Sequence, residues 1–163
     1  MRRMITFNDN GIRFTNRIVG LAYDRGRVLL HRAESDDFWA LPGGRAELLE
    51  PSPQTLVREM QEELDVTVRV ERLVWVVENF FEYQGMTHHE IGFYFLMSLP
   101  IDSPLRDKRE PFFGDEGGVR IIFQWYPLDA LAAMRLYPTF LRTGLQALPD
   151  SITHIIHSDG KDE

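Results

Sequence analysis

The sequence predicts an α+β fold in which a mixed β-sheet is flanked by helices within one domain. Predicted strands outnumber predicted helices, and several are joined as hairpins by turn signals such as those at residues 9–11 and 24–26. The longest segment with helical periodicity covers residues 53–64. Hairpins combined with a few helices favour a layered domain in which helices cover a sheet.

The first half of the chain carries the clearest signals for individual elements. Residues 12–23 and 28–31 are predicted to pair as a hairpin, and residues 38–41 form a short strand. That strand ends at Pro42 because the Pro-Gly-Gly that follows cannot continue it. The helix over residues 53–64 is expected to begin after Ser52, which is a suitable N-cap residue.

The second half is predicted to be mostly β. Its elements, in chain order, are strands at 73–83 and 91–99, an acidic loop at 100–118, a strand at 119–125, short helices at 127–134 and 138–148, and a last strand at 152–156. Residues 158–163 are expected to be a frayed tail. We therefore expect one domain over residues 1–163.

Composition excludes several classes of protein. The 163 residues contain no cysteine, which excludes a disulfide scaffold, a thiolate zinc site, an iron–sulfur cluster and a cysteine nucleophile. The net charge of −7 disfavours binding to nucleic acid. No apolar stretch approaches the roughly 20 residues of a membrane span, and no secretion signal follows the first residues. We expect a cytoplasmic protein with neither membrane nor nucleic acid as partner.

The helix over residues 53–64 carries an unusual group of acids. At about 100° per residue, Glu59, Glu62 and Glu63 share one arc, apart from the apolar face of Leu56 and Met60. Like charges three or four residues apart destabilise a helix by roughly 0.2–0.5 kcal/mol per pair. Two interpretations stay open at this point. A hard cation such as Mg²⁺ supplies the missing charge, or the acids form a solvated surface.

The residues around this helix resemble the Nudix box. Gly44 is followed after five residues by Glu50, and after seven more by REMQEELDV at residues 58–66. The preceding WALPGG at residues 39–44 also matches the family. A spaced motif of this length is highly specific. The resemblance covers roughly residues 12–148, which is most of the chain.

Two positions depart from the family's pattern. Asp65 stands where the family usually has glycine, and Leu49 replaces a glycine that many members carry before the first Glu of the box. A glycine at 65 would end the helix in a left-handed conformation, which Asp tolerates better than most residues. The departures therefore concern loop geometry more than the metal site.

The resemblance implies a fold, an activity and a cofactor. The Nudix fold is an α/β/α sandwich, and its enzymes are pyrophosphohydrolases that act on acid anhydrides with a divalent metal, Mg²⁺ or its substitute Mn²⁺. We expect hydrolysis of the diphosphate linkage in a nucleoside diphosphate derivative such as ADP-ribose, a sugar nucleotide or a dinucleoside polyphosphate. The alternatives are a house-cleaning pyrophosphohydrolase of modified nucleoside triphosphates and a noncatalytic nucleotide-sensing module. The partner is a small nucleotide, and homodimers are common in the family.

The family's functional residues map onto the box of this chain. The resemblance implies that Glu59, Glu62 and Glu63 bind the metal together with Gly43. It also assigns Glu59, Glu62 and Arg58 to catalysis. These assignments favour the metal-binding interpretation of the acidic arc over the solvated one.

Other residues are expected to support the site. The resemblance gives Gly44, Glu47 and Glu50 a role in shaping the loop before the helix. Family members often use a further carboxylate outside the box, for which Glu116 in the acidic loop and Glu90 at the start of a strand are candidates. For both acids, ordinary surface charge is the competing interpretation.

One aromatic residue is a candidate for substrate binding. Tyr83 follows the box at about the spacing of a tyrosine in family members that cleave dinucleoside polyphosphates. An aromatic ring can stack on a nucleobase, although core packing is the more common role of aromatic residues in a strand.

Overall fold

The structure is a computed structural model that describes residues 2–160. Its β-strands are β1 Thr6–Asp9, β2 Ile12–Asp24, β3 Arg27–Ala33, β4 Gly43–Arg45, β5 Arg69–Tyr83, β6 Met86–Ser98, β7 Phe112–Glu116, β8 Val119–Pro127 and β9 Thr153–Asp159. The α-helices are α1 Ser52–Leu64 and α2 Leu141–Gly144, and 3₁₀-helices cover Pro104–Asp107 and Leu128–Ala133. Among the described residues, no helix is long and apolar enough to cross a membrane.

The nine strands join one mixed sheet. Its order is β7-β8-β3-β2-β6-β5-β9, with β1 and β4 also paired to β2. β2 runs parallel to β6 and β5 runs parallel to β9, while the remaining pairs are antiparallel. The long hairpins of β-branched and aromatic residues suit a pleated, half-buried surface. The predicted α+β class with a mixed sheet is confirmed.

Apolar residues cover both faces of the sheet. On one face, Leu56 and Met60 of α1 are fully buried in a cluster that also contains Ile18 and Phe123. On the other face, the second cluster joins strand residues to the segment that contains the second 3₁₀-helix and α2, represented by Leu131, Leu141 and Leu145. The sheet therefore lies between helical layers, as the resemblance implies.

The helices of the last third are shorter than predicted. The segment 127–134 forms a 3₁₀-helix over Leu128–Ala133, and the segment 138–148 contains only the four residues of α2. Pro127 and Pro138 lie before these elements, and α2 ends at Gly144. Proline is tolerated at the start of a helix, so Pro127 and Pro138 are compatible with these positions, whereas glycine disfavours helix and Gly144 coincides with the end of α2.

Several strand boundaries also differ from the prediction. Residues 38–41 form only isolated bridges, and the acidic loop at 100–118 contains β7. The last strand extends to Asp159, which pairs with Phe81, so residues 158 and 159 belong to the sheet and not to a tail. The rest of the predicted tail includes residues 161–163, which lie outside the described part of the chain.

The two ends of α1 explain how the helix is held. Pro51, not Ser52, is the N-cap residue, and no side chain caps the helix. The backbone amides of Gln54 and Thr55 donate to the carbonyl of Pro51. At the other end Asp65 adopts a left-handed conformation with φ of 52°, as predicted for the position where the family has glycine.

Candidate active site

Three acids from two elements meet beside α1. Glu59 and Glu63 are one helical turn apart, and Glu116 ends β7. One carboxylate oxygen of each lies within 4.8 Å of the other two, and we call these three residues the carboxylate cluster. β7 can approach α1 closely because Gly114 has no side chain, since a Cβ there would overlap the carbonyl of Glu63. Glu116 is therefore the sequence-predicted further acid that the fold brings to the box, although from a strand and not from a loop.

Burial makes the carboxylate cluster electrostatically unfavourable. Glu59 and Glu63 are 5% and 4% exposed, and neither carboxylate oxygen of Glu63 has a hydrogen-bond partner. Burial, reinforced by the charges of Glu116 and Glu59, raises the pKa of Glu63 to about 9. Burial also raises the pKa of Glu59, against the influence of Arg58. A buried carboxylate without a partner is costly, and a cation among the three acids would remove that cost.

The donor set fits a hard divalent cation. All three groups are carboxylates, which are the ligands that Mg²⁺ and Mn²⁺ take together with water. Glu116 is exposed, so the cluster is open to solvent on one side. The arrangement can hold a metal ion and still leave positions for water or phosphate oxygens.

Arg58 anchors the loop before α1 to the helix. Its Nε and Nη2 donate to the two oxygens of Glu50 at 2.8 and 3.0 Å. Its Nη1 donates to Glu59 at 2.9 Å and to Glu62 at 3.3 Å, and Nη2 also donates to the carbonyl of Arg45 at 3.3 Å. The guanidinium of Arg58 holds the pKa of Glu50 at about 2. A fork that binds a carboxylate at two points fixes geometry as well as charge.

The predicted loop-support residues surround this ion pair. The hydroxyl of Thr55, which is fully buried, donates to Glu50 Oε1 at 2.6 Å. The backbone amide of Glu47 donates to the same oxygen at 3.4 Å. The carboxylate of Glu47 lies 3.6 Å from Arg58 Nη2. The loop that carries Glu47 and Glu50 is thus fixed to α1 by a partly buried, hydrogen-bonded network.

The two glycines before the loop allow close packing. A Cβ at Gly44 would overlap the carboxylate of Glu59, and a Cβ at Gly43 would overlap the carbonyl of Ile18 in β2. Both glycines pair with β2 through β4. Gly44 therefore leaves the space that the Glu59 carboxylate occupies, and Gly43 lets β4 lie against β2.

The remaining predicted site residues lie outside the carboxylate cluster. The Glu62 side chain is 40% exposed and pairs with Arg58 and with Arg2. Glu90 is buried in β6, where it is paired with Asn79 of β5, and burial raises its pKa. Tyr83 donates a hydrogen bond to Asp36 at 3.1 Å. Its ring also meets Phe38 edge to face.

Comparison with known proteins identifies the family. The model of the NUDIX domain matches residues 13–145. The chain belongs to the Nudix family. The expectation of a Nudix hydrolase, a pyrophosphohydrolase of acid anhydrides, is confirmed at the level of the family. No curated protein matches the chain in sequence.

Several solved Nudix-type structures share the fold at low sequence identity. An ADP-ribose pyrophosphatase from Streptococcus suis is 15% identical with a TM-score of 0.58, over 88% of this chain and 98% of that protein. A MutT protein from Bacillus halodurans is 17% identical with a TM-score of 0.62, over 89% and 91%. A UDP-X diphosphatase is 18% identical with a TM-score of 0.58, over 86% of this chain and 66% of that one. These likenesses extend the shared fold across most of this chain.

One residue at the site was not predicted from the sequence. Arg2 donates a hydrogen bond to Glu62, and its Nε lies 3.7 Å from Glu47. The contact joins residues that are 60 positions apart. An excess of arginine near the start of the chain, seven Arg against two Asp in residues 1–32, was the only available signal.

Proposed function

We propose that this Nudix chain hydrolyses the diphosphate linkage of a nucleoside diphosphate derivative with Mg²⁺ or Mn²⁺ as cofactor. The observation that carries the proposal is the carboxylate cluster, in which Glu63 is buried without any hydrogen-bond partner. A buried acid in that state is stabilised by a bound cation far more than by solvent.

Each residue of the site has a definite task under this proposal. Glu59, Glu63 and Glu116 would hold the ion, which when bound neutralises phosphate charge and acidifies water. Arg58 keeps the Glu59 carboxylate turned toward the cluster through its 2.9 Å hydrogen bond. Because the N–H donors of Arg58 are engaged by acids of the site and by the carbonyl of Arg45, we assign it a positioning role.

The shape of the site suits a small nucleotide. A cleft of about 400 Å³ adjoins the cluster and is lined by residues that include Arg2, Glu62 and Gly117. Ligand sites for small molecules are typically of this size. Hydrolysis adds water across one P–O–P bond, so a derivative of a nucleoside diphosphate yields a nucleoside monophosphate and a second phosphomonoester.

The substrate class is supported by two of the structural neighbours. One is an ADP-ribose pyrophosphatase and the other a UDP-X diphosphatase, both acting on nucleoside diphosphate derivatives. The likeness to a MutT protein favours the second candidate, a pyrophosphohydrolase of modified nucleoside triphosphates. Because the carboxylate cluster is complete, we place the noncatalytic sensing module behind both.

A substrate panel with a matched pair of variants tests the proposal. ADP-ribose, UDP-glucose, a diadenosine polyphosphate and an oxidised deoxynucleoside triphosphate are incubated with Mg²⁺ or Mn²⁺. A nucleoside monophosphate released without pyrophosphate supports the first candidate, and a nucleoside monophosphate released together with pyrophosphate supports the second. Glu63→Gln should lower kcat on the best substrate by at least about 1,000-fold, since a ligand of the ion is lost.

The control for this variant is Glu110→Gln, which makes the same chemical change at an exposed position. It should keep kcat within about twofold of the parent protein. Full activity in Glu63→Gln would contradict the assignment of the carboxylate cluster.

A further inference from the structure

The residues before β1 form an arm that is hydrogen-bonded to the loop between β4 and α1. We call residues 2–5 the N-terminal arm. The backbone amide of Leu48 donates to the carbonyl of Arg3, and the amide of Ile5 donates to the carbonyl of Ala46, both at 2.8 Å. Met4 also forms a β-bridge with Glu47. These bonds hold the backbone of the arm beside the loop that enters α1.

The N-terminal arm places one guanidinium at the mouth of the cleft. Arg2 lines the cleft together with Glu59, Glu63 and Glu116 of the carboxylate cluster. Its side chain is 65% exposed and donates one hydrogen bond, to Glu62. An ion pair this exposed is worth at most about 1 kcal/mol, so Arg2 can exchange its partner at little cost.

Arg58, the other arginine that lines the cleft, has no free N–H donor. Arg58 uses Nε, Nη1 and Nη2 in five hydrogen bonds to Glu50, Glu59, Glu62 and the carbonyl of Arg45. A guanidinium carries five N–H donors, so all of those of Arg58 are engaged. Arg2 makes a single hydrogen bond to the described residues, and although its Nε lies 3.7 Å from Glu47, its other N–H donors remain available to a ligand in the cleft that it lines.

The rim of the cleft otherwise repels an anion. Its charged side chains besides the two arginines are carboxylates, among them Glu47, Glu62 and Asp115. A diphosphate that approaches this rim meets like charge unless a cation faces it. A planar guanidinium binds two phosphate oxygens at once, which a carboxylate rim cannot do.

We propose that Arg2 is a substrate-positioning residue that binds the non-bridging phosphate oxygens of the diphosphate group. This inference rests on the proposed function, because it requires a diphosphate at the carboxylate cluster. Arg2 leaves Glu62 when the diphosphate enters and donates its N–H groups to the phosphate. The N–H groups of Arg58 stay bonded to the loop and the helix. Arg2 therefore positions the substrate, and Arg58 positions the acids.

The test measures binding without turnover. The probe is the α,β-methylene analogue of ADP, whose P–C–P link resists hydrolysis, titrated by calorimetry into protein that contains Mg²⁺. Arg2→Gln should weaken binding about tenfold, as expected for loss of a charge-assisted contact. Arg2→Lys keeps the charge without the fork and should recover part of the loss.

Arg3→Gln is the matched control because it removes the same charge from the same arm. Its affinity for the probe should stay within about twofold of the parent protein. In turnover assays Arg2→Gln should raise KM about tenfold and leave kcat within about threefold, since the carboxylate cluster is intact. Mg²⁺ affinity measured without nucleotide should not fall.

The outcomes separate this inference from the proposed function. If the parent protein binds the probe and Arg2→Gln binds it equally well, the role of Arg2 is wrong and the proposed function stands. An equal loss in Arg3→Gln would also overturn it, because general charge would then explain the effect. If the parent protein binds no probe with Mg²⁺ present and hydrolyses no nucleotide of the substrate panel, both proposals fail.

Discussion

Two buried carboxylates, Asp24 at the end of β2 and Glu63 in α1, have opposite electrostatic surroundings. Asp24 is 6% exposed and pairs with Arg25 at 2.7 Å, Arg27 at 3.1 Å and Arg106 at 2.7 Å. Although burial opposes it, these guanidinium groups hold the pKa of Asp24 at about 2. Glu63 is 4% exposed and has no partner, and its pKa is raised to about 9.

The difference shows what each site is built for. Asp24 and its three arginines form an ion-pair cluster that joins the β2–β3 hairpin to the 3₁₀-helix at Pro104–Asp107. The protein supplies all the compensating charge there, so that cluster is structural. In the carboxylate cluster Glu59 has one such partner, Arg58, whereas Glu63 has none among the described residues. Under the proposed function a bound cation would complete the charge balance there.

The largest expected effect comes from breaking the compensated site. Asp24→Asn should lower the free energy of unfolding by about 2–3 kcal/mol, because three arginines lose a shared charged acceptor. The measurement is the urea midpoint in the parent protein and the variant. Asp107→Asn, which removes an exposed partner of the same Arg25, is the control and should change stability by less than about 0.5 kcal/mol. An equally small effect of Asp24→Asn would remove the contrast between the two sites.

Because Glu63 has no partner, we expect the stability of the protein in EDTA to depend on pH. Above about pH 4.5 the unfolded chain releases the Glu63 proton, whereas the folded chain keeps it up to about pH 9. The folded state therefore binds more protons, and stability falls as pH rises through this window. Between pH 5 and 8 the loss should reach about 1–3 kcal/mol relative to Glu63→Gln, which cannot titrate.

Urea unfolding at several pH values in EDTA measures this difference. Added Mg²⁺ should restore stability at the upper pH values, because a cation binds the ionised acids. Parallel pH profiles of the parent protein and Glu63→Gln would show that Glu63 is not an uncompensated acid.

A smaller effect on stability is expected at Glu50, which lies within the Nudix box. Glu50 resembles Asp24 more than Glu63, since Arg58 and Thr55 satisfy its carboxylate. Thr55→Val keeps the shape but removes the 2.6 Å hydrogen bond, and should lower stability by about 1 kcal/mol. The control Thr67→Val removes an exposed hydroxyl that bonds to Gln61 and should change stability by less than about 0.5 kcal/mol. A loss as small as that of the control would mean that Arg58 alone satisfies Glu50.

Local patterns in the sequence predicted the helix and its acids well. Glu59 and Glu63 lie one turn apart, so a motif within one helix fixes their relation without knowledge of the fold. Asp65 likewise ends α1 in the left-handed conformation that its position predicts. Arg58 of the same helix pairs with Glu59 and Glu62, so only Glu63 is left without a partner among the described residues.

Relations between distant elements could not be obtained in that way. Glu116 joins the carboxylate cluster because β7 passes α1 at Gly114, and Arg2 reaches Glu62 through the pairing of the N-terminal arm. Both depend on tertiary packing that no local spacing encodes. Residues 138–148 also differ from their helical pattern, since only Leu141–Gly144 form a helix and glycine disfavours its continuation.

The course of the N-terminal arm has a practical consequence for anyone who purifies this enzyme. Polypeptide fused ahead of Arg2, such as an affinity tag, begins at the mouth of the cleft because the arm is bound to the loop at Ala46 and Leu48. A polyhistidine tag at that end would bring metal-binding groups beside the acids. Kinetic constants and metal affinities are therefore best measured after the tag has been cleaved off.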